Sequence, residues 1–290
     1  MSLRAALAEG TEQLAAAGIE TARLDARVLM GAVLGRPPAS VPALSCALSE
    51  PQQAQFDDLI RRRTKREPVA YILGHKEFWS LEFAVGPGVL VPRPDSETLI
   101  EAARASFADQ DGPRTIADLG CGSGCLIIAA LHLWPRAHGT AFDISAAALD
   151  YTRKNAERLG VAGRLDLVLC DFRQAEGAFD LVLCNPPYLR EEELAQAAPE
   201  LSFEPAQALS AGADGLSAYR SLGPVFGRIV HPEGLAVVEL GAGQEAPVCR
   251  EFSRAGLDVT GVRTDLSGIP RALLARPARK KVVGIRGPRG

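Results

Sequence analysis

The chain has 290 residues, 47% apolar and 23% charged, the balance of an ordinary soluble globular protein, and its length suggests about two domains. A formal net charge of −3 argues against a non-specific nucleic-acid binder. No run of about 18 apolar residues marks a transmembrane helix. The start, Met1-Ser2-Leu3-Arg4-Ala5, lacks an apolar signal segment with a cleavage site, so a cytoplasmic protein is expected. Six cysteines (Cys46, Cys121, Cys125, Cys170, Cys184, Cys249) are scattered as reduced thiols are. Cys121 and Cys125 have no partner pair or histidine at zinc spacing, so no metal is expected.

Leu3 to Leu34 reads as two amphipathic helices broken at Gly18, with Leu3, Leu7 and Leu14 on one side of the first and Leu24, Val28 and Leu29 on the second. A third helix opens at Ser49, with Gln52 three residues on as in a capping box, and runs through Phe56, Leu59 and Ile60. It ends in the basic run Arg61-Arg62-Arg63-Thr64-Lys65-Arg66. Cations at a helix C-terminus complement its dipole, so a solvated end is the default and a face for an acidic partner the alternative. From Tyr71 to Leu90, aromatic and β-branched residues punctuated by Gly74, Gly86, Pro87 and Gly88 predict a β-hairpin. Val91-Pro92-Arg93-Pro94-Asp95-Ser96-Glu97 then pins the chain before a helix over Thr98–Phe107, with Ser96 or Asp95 as its cap. Arg93 reads equally as a structural ion pair or a ligand contact.

From Arg114 onward strand and helix patterns alternate, which predicts a parallel doubly wound sheet. Strands are expected at 115–119, 139–142, 165–169, 179–184, 234–240, 257–262 and 271–275. Helices are expected at 124–133, 146–159, 215–230 and 243–255. The tail from Arg279 to Gly290 carries +5 and no acid, leaving −8 elsewhere in a chain of net −3. A solvated terminus is its default reading, and contact with RNA the alternative.

The chemistry gathers at strand ends, the edge where open α/β sheets bind ligands. Asp118-Leu119-Gly120-Cys121-Gly122-Ser123-Gly124 follows the first sheet strand, and its alternating glycines allow a tight turn with amides facing a ligand. Cys125 stands where a dinucleotide fingerprint wants glycine or alanine, which favours an adenosyl ligand without pyrophosphate. Asp143 ends the second strand, where an acid can accept ribose hydroxyls or simply start a helix beside Ser145. Asp171-Phe172 ends the third, offering a carboxylate to an exocyclic amine and a ring to a purine face. Asn185-Pro186-Pro187-Tyr188 ends the fourth. Its prolines stop the strand and stiffen the backbone, so one amide and one ring are presented rigidly.

This order resembles the class I S-adenosylmethionine-dependent methyltransferases. More closely, the chain resembles the PrmC/HemK family, the protein-(glutamine-N5) methyltransferases of peptide-chain release factors. The resemblance rests on Glu67–Gly74, Glu77-Phe78-Trp79, Val89–Glu97, the glycine loop, Asn155–Gly160, Asn185–Tyr188, Glu204-Pro205 and Gly212–Leu216. It implies an α/β fold: a seven-stranded, Rossmann-like class I methyltransferase domain over 92–290, preceded by a helical substrate-recognition domain over 1–73 and a β-hairpin linker over 74–91. It implies methyl transfer from S-adenosylmethionine, with S-adenosylhomocysteine as product and no metal, to the Gly-Gly-Gln glutamine of release factors, in support of translation termination. Cofactor contacts would come from Gly120, Cys121, Gly122, Ser123, Gly124, Asp143, Asp171, Phe172 and Asn185. Asn185, Pro186 and Tyr188 would be catalytic, and with Pro187 would hold the substrate amide. The implied state is a monomer without membrane or stable nucleic-acid partners. A ribosomal-protein glutamine or a nucleic-acid N6-adenine would suit the same tetrapeptide, but the latter needs a basic face, and the chain outside its tail is acidic. A cofactor-binding regulator without catalysis would not need the tetrapeptide. One departure is Asp265-Leu266-Ser267-Gly268-Ile269-Pro270-Arg271, where the family typically reads Asp-Leu-x-Gly-Arg-Asp-Arg.

Overall fold

Ser2 and Ser49 each begin a helix, because a hydroxyl oxygen can accept an orphan N–H of the first turn. In the computed structural model, which describes residues 1–108 and 111–278, Ser2 caps α1 (Leu3–Ala16), α2 (Ala22–Leu34) ends on left-handed Gly35, and α3 (Glu50–Thr64) carries the full Ser49–Gln52 capping box. These helices close on a core of their own that includes Leu14, Leu29, Met30, Phe56 and Ile60. Leu24, expected on the apolar side of the second helix, is exposed, and Ala22, Ala26 and Met30 join Leu29 on the buried face instead.

The basic run at the end of α3 is not a solvated end. Arg62 Nε donates to Glu67 Oε2 at 2.9 Å, and Arg66 NH2 to Glu200 Oε2 at 3.0 Å. Arg63 is buried between Asp25 (2.8 Å) and Glu200 (2.8 Å), the latter 137 positions away in sequence. A local charge pattern does not reveal which distant acid will fold against it. Here the run ties the helical bundle to the other half of the chain.

A short helix, α4 (Val69–Leu73), occupies the start of the expected hairpin, and the Tyr71 hydroxyl donates to Val89 O. The hairpin itself is β1 (His75–Phe78) and β2 (Leu81–Ala84), joined by Trp79 and Ser80, both at positive φ. Buried Asn155 fastens it to the α/β part. Its Nδ2 donates to Ala84 O (3.0 Å) and Ser123 O (2.9 Å), and its Oδ1 accepts from Ala84 N–H (2.7 Å).

The α/β part comprises α5 (Glu97–Ser106), β3 (Thr115–Leu119), α6 (Cys125–Leu133), β4 (His138–Asp143), α7 (Ala146–Arg158), β5 (Leu165–Leu169), β6 (Phe179–Cys184), α8 (Glu191–Ala195), α9 (Ser217–Ile229), β7 (Val230–Glu239), α10 (Glu245–Arg254), β8 (Leu257–Thr264) and β9 (Pro270–Pro277). Its seven strands lie in the order β5-β4-β3-β6-β7-β9-β8. All run parallel except β9, which is antiparallel to both neighbours. The expected parallel, doubly wound sheet is present with this one exception: the turn from Asp265 to Ile269 is too short for a crossover, so β8 and β9 can pair only as a hairpin. Helices cover both faces, with Leu99, Ile127 and Leu149 in one core and Tyr219, Phe226 and Phe252 in the other. That sandwich is why Leu181-Val182-Leu183 and Ala236-Val237-Val238 are apolar without alternation.

The strand order reverses at β3, between β4 and β6, which opens a crevice at their carboxyl ends. The departure near the end of the chain falls in the β8–β9 turn. Asp265 Oδ1 accepts from the N–H of Ser267 (2.9 Å) and Ile269 (3.0 Å), and Oδ2 pairs with Arg271, so the Asp265–Arg271 frame of the turn is kept. Pro270 is the first residue of β9, a position where its missing N–H costs little. The basic tail from Arg279 to Gly290 lies outside the described residues.

Candidate active site

Gly120 and Gly122 leave β3 at φ +77° and +56°, and a Cβ added to either would meet nothing within 4 Å. The glycines therefore keep an open cradle at the crevice. They do not aim their amides into it as expected. Gly120 and Cys121 N–H donate to Phe142 O at 2.8 and 3.1 Å, and Gly122 N–H donates to Asp143 Oδ2 at 2.9 Å. The loop spends these donors on β4, and glycine supplies room. Cys121 and Ser123 are buried, with Cys121 Sγ 3.3 Å from Thr152 Oγ1, so their thiol and hydroxyl face inward. Gly124 leaves no space for a side chain, since its Cβ would lie 2.8 Å from Thr152 Cγ2.

Asp143 starts the next helix, as one of its two expected readings had it, and its side chain also lies at the cleft. Its Oδ1 accepts from Ser145 N–H at 2.8 Å where Ser145 caps α7. Asp171 and Phe172 line the same cleft. The Asp171 carboxylate is already engaged by Arg173, whose Nε lies 2.9 Å from both oxygens, and this bond holds the Asp171 pKa below its ordinary value. An exocyclic amine would share that carboxylate with a guanidinium two residues away.

Asn185 follows β6 and borders three hollows. The first is the cleft just described, the second lies against Ser96 and the glycine loop, and the third is walled by Arg93, Tyr188, Leu201 and Leu209. Its Nδ2 donates to Ser96 Oγ at 3.0 Å, and Ser96 Oγ donates in turn to Glu239 Oε2. Ser96 thus makes no side-chain cap on α5, and Asp95 pairs with Arg271 (3.2 Å) instead of capping. Among the described residues, neither Asn185 Oδ1 nor the Pro186 carbonyl accepts a hydrogen bond; Asn185 borders the hollows, whereas Pro186 is buried. Tyr188 is half-buried, its carbonyl held by Gln244 Nε2 at 2.9 Å, and burial with the nearby Glu239 charge keeps its phenol protonated. Arg93 is an ion pair: its guanidinium meets Glu204 at 2.6 Å, and Glu204 also accepts Val91 N–H at 2.9 Å.

Two carboxylates at this edge escaped the sequence reading. Asp118 is 1% exposed with no close partner for either oxygen among the described residues, and burial pushes its pKa up to about 8 although the Ile127 N–H partly offsets it. Glu239 is fully buried, its Oε1 has no close partner among them, and burial raises its pKa to about 7. Buried unpaired carboxyls are costly and concentrate at functional sites. A signal for both was present: Asp118 is the lone acid of β3, and Glu239 closes the apolar run Leu235–Val238 at the end of β7. The cleft lining carries Asp143 and Asp171 and no lysine or arginine. With Asp118 beneath the glycine loop, this set of charges suits a neutral or cationic ligand and not a phosphorylated one.

The histidines lie elsewhere: His75 contacts Leu73 O, His132 contacts Leu159 O, His138 lies near Asp166, and His231 accepts from Glu233 N–H. Among the described residues there is no cluster of three or more His, Cys, Asp or Glu that could hold a metal ion, and no helix long and apolar enough to cross a membrane.

Comparison with known proteins matches residues 5–74 to a family model described as PrmC N-terminal domain and residues 96–213 to one described as methyltransferase small domain. A protein of Rhodospirillum rubrum named release factor glutamine methyltransferase is 41% identical over 273 residues, covering 93% of this chain and 83% of that one. A protein of Bradyrhizobium diazoefficiens with the same name is 42% identical over 275 residues, covering 91% of each. Among solved structures, a methyltransferase from Pyrococcus furiosus superposes with a TM-score of 0.52 at 17% identity over 70% of this chain and 92% of that one, a likeness of fold.

Proposed function

The chain belongs to the release factor glutamine methyltransferases, and from that membership we propose that it moves a methyl group from S-adenosylmethionine to the side-chain amide nitrogen (N5) of the Gly-Gly-Gln glutamine of a peptide-chain release factor. The observation that carries this reading is the position of Asn185, which stands between the cleft of the strand ends and the hollow behind Tyr188, its Oδ1 and the Pro186 carbonyl both without a hydrogen bond among the described residues.

A glutamine amide is a poor nucleophile because its nitrogen lone pair is delocalised into the carbonyl. When bound, S-adenosylmethionine would supply a methyl carbon activated by the sulfonium; the residues suited to hold it are Asp143, Asp171, Phe172, the Gly120–Gly124 loop and Asp118. The chain itself would hold the amide. Asn185 Oδ1 and the Pro186 carbonyl accept its two hydrogens, Pro187 and Tyr188 wall its plane, and the nitrogen lone pair is turned toward the cleft. Such near-attack orientation is worth on the order of 7–11 kcal/mol, and acceptors pre-aimed at charge developing on nitrogen contribute about 3 kcal/mol more. No general base is required, because the N-methylated amide cation loses its proton readily to water. A groove of about 1070 Å³ between α2, α3, the hairpin and Pro92–Pro94 supports a protein as substrate, with the helical residues 1–73 recognising it.

The test is label transfer from S-adenosylmethionine in the presence of a release factor, a ribosomal protein fraction and DNA. Label is expected on the release factor, and Asn185→Ala should abolish transfer while cofactor affinity stays within about tenfold. Label on DNA, or full activity of Asn185→Ala, would sink the proposal.

A further inference from the structure

We propose that Glu239, acting through Ser96, fixes the orientation of the Asn185 side-chain amide so that its oxygen and not its nitrogen faces the substrate. This rests on the reading of Asn185 as the acceptor for the substrate amide. The two ends of an asparagine amide are nearly the same size, and only hydrogen bonding decides which end points where. On a turn whose backbone is set by two prolines, the remaining freedom is a flip of that amide. A flipped Asn185 would present NH₂ to the substrate's NH₂, a donor to a donor, and the nucleophile would be repelled instead of held.

While Glu239 is ionised, proton counting forbids the flip. An ionised Glu239 has no proton, so at the Ser96–Glu239 contact the hydroxyl must donate. A serine hydroxyl has one proton, and that proton is then spent. Toward Asn185, Ser96 Oγ can only accept, and the atom it faces at 3.0 Å is Nδ2, the sole donor of that amide. Oδ1 is therefore left for the open side. Three elements are joined for this purpose: the turn before α5, the end of β6 and the end of β7. The relay also accounts for two oddities. Ser96 immediately precedes a helix yet gives its hydroxyl to Glu239 and not to a first-turn amide. Glu239 is fully buried although its Oε1 has no close hydrogen-bond partner among the described residues, the Tyr188 side chain and the Arg271 charge being its other interactions. In its ionised form this carboxylate is an acceptor only, which no amide or hydroxyl could be.

Ser96 and Glu239 are positioning residues, and their variants must behave unlike packing defects. Ser96→Ala should lower kcat for a release factor by about ten- to thirtyfold, the scale of one misdirected hydrogen bond. Calorimetric affinity for S-adenosylhomocysteine should stay within about twofold, since Ser96 lies outside the principal cleft. Ser96→Thr restores the hydroxyl and should recover most of kcat, although it adds a methyl group at a buried position. A packing role predicts the reverse order, with Ala tolerated and Thr damaging, and that result would overturn the proposal. A double-mutant cycle keeps the test decisive if Thr does not fold. Glu239→Gln lets either end of a neutral amide face Ser96, so kcat should fall, yet adding it to Ser96→Ala should cost no more than about twofold further because one relay is already broken. Losses that simply multiply would refute the relay. The two readings fail separately: an active Asn185→Ala removes the proposed function, whereas an inactive Asn185→Ala beside a fully active Ser96→Ala removes only the relay.

Discussion

Replacing Glu239 by glutamine should change the pH dependence of stability in a direction that the structure fixes. Glu239 has its pKa raised by burial from 4.5 to about 7, and the hydrogen bond from Ser96 and the charge of Arg271 only partly offset this. The groups that face it electrostatically are Asp95, Cys125, Cys184, Tyr188, Tyr219 and Arg271. Because the folded value lies above the unfolded one, the folded state holds this proton more tightly. The group's contribution to stability is therefore complete below about pH 4.5 and is lost as pH rises through about 7. Each pH unit separating the folded and unfolded values is worth about 1.4 kcal/mol, so the full loss is about 3 kcal/mol. The glutamine variant does not titrate. Its stability relative to the natural chain should climb by about 2 kcal/mol or more between about pH 5 and pH 8, on top of a pH-independent offset for its own hydrogen bonding. Urea unfolding of both chains across that range measures the difference, and subtraction cancels every other titrating group. A flat difference, or one that falls with pH, would show that burial does not raise the Glu239 pKa and would refute this reasoning, while the relay, which needs Glu239 ionised, would stand. A rising difference with slower methyl transfer would show stability traded for an oriented amide.

Arg63→Ala strands Asp25 and leaves Glu200 to Arg66 alone, so chemical denaturation should show a loss of about 3 kcal/mol; a change below about 1 kcal/mol would mean the clamp is relaxed in solution. Gly120→Ala and Gly124→Ala should separate by mechanism. Both sit at positive φ, but only Gly124 meets a neighbour, so it should lose about 2 kcal/mol of stability, whereas Gly120→Ala should lose less and weaken S-adenosylhomocysteine binding more in calorimetry. Asp143→Ala should weaken that binding by at least about tenfold, the scale of a lost pair of hydrogen bonds to a charged acceptor, and unchanged affinity would remove the ribose assignment.

The sequence alone determined what local chemistry can determine. Alternation of periods placed the sheet strands and their covering helices to within a few residues, because burial on two faces leaves an apolar run that survives in one dimension. Proline and glycine punctuation put Asn185 and the Gly120–Gly124 loop at strand ends. The tertiary structure decided what depends on partners distant in sequence. Whether the run ending α3 was solvated or a clamp depended on Glu200, and whether Arg93 was free depended on Glu204. Whether Ser96 capped a helix or held Asn185 depended on Glu239, 143 positions further on. A hydroxyl, a guanidinium or an amide carries no mark of its partner in the sequence, since hydrogen bonding is set by position in space. The stretch that presents the amide could be read from four residues; what turns that amide the right way is brought from two other elements by the fold.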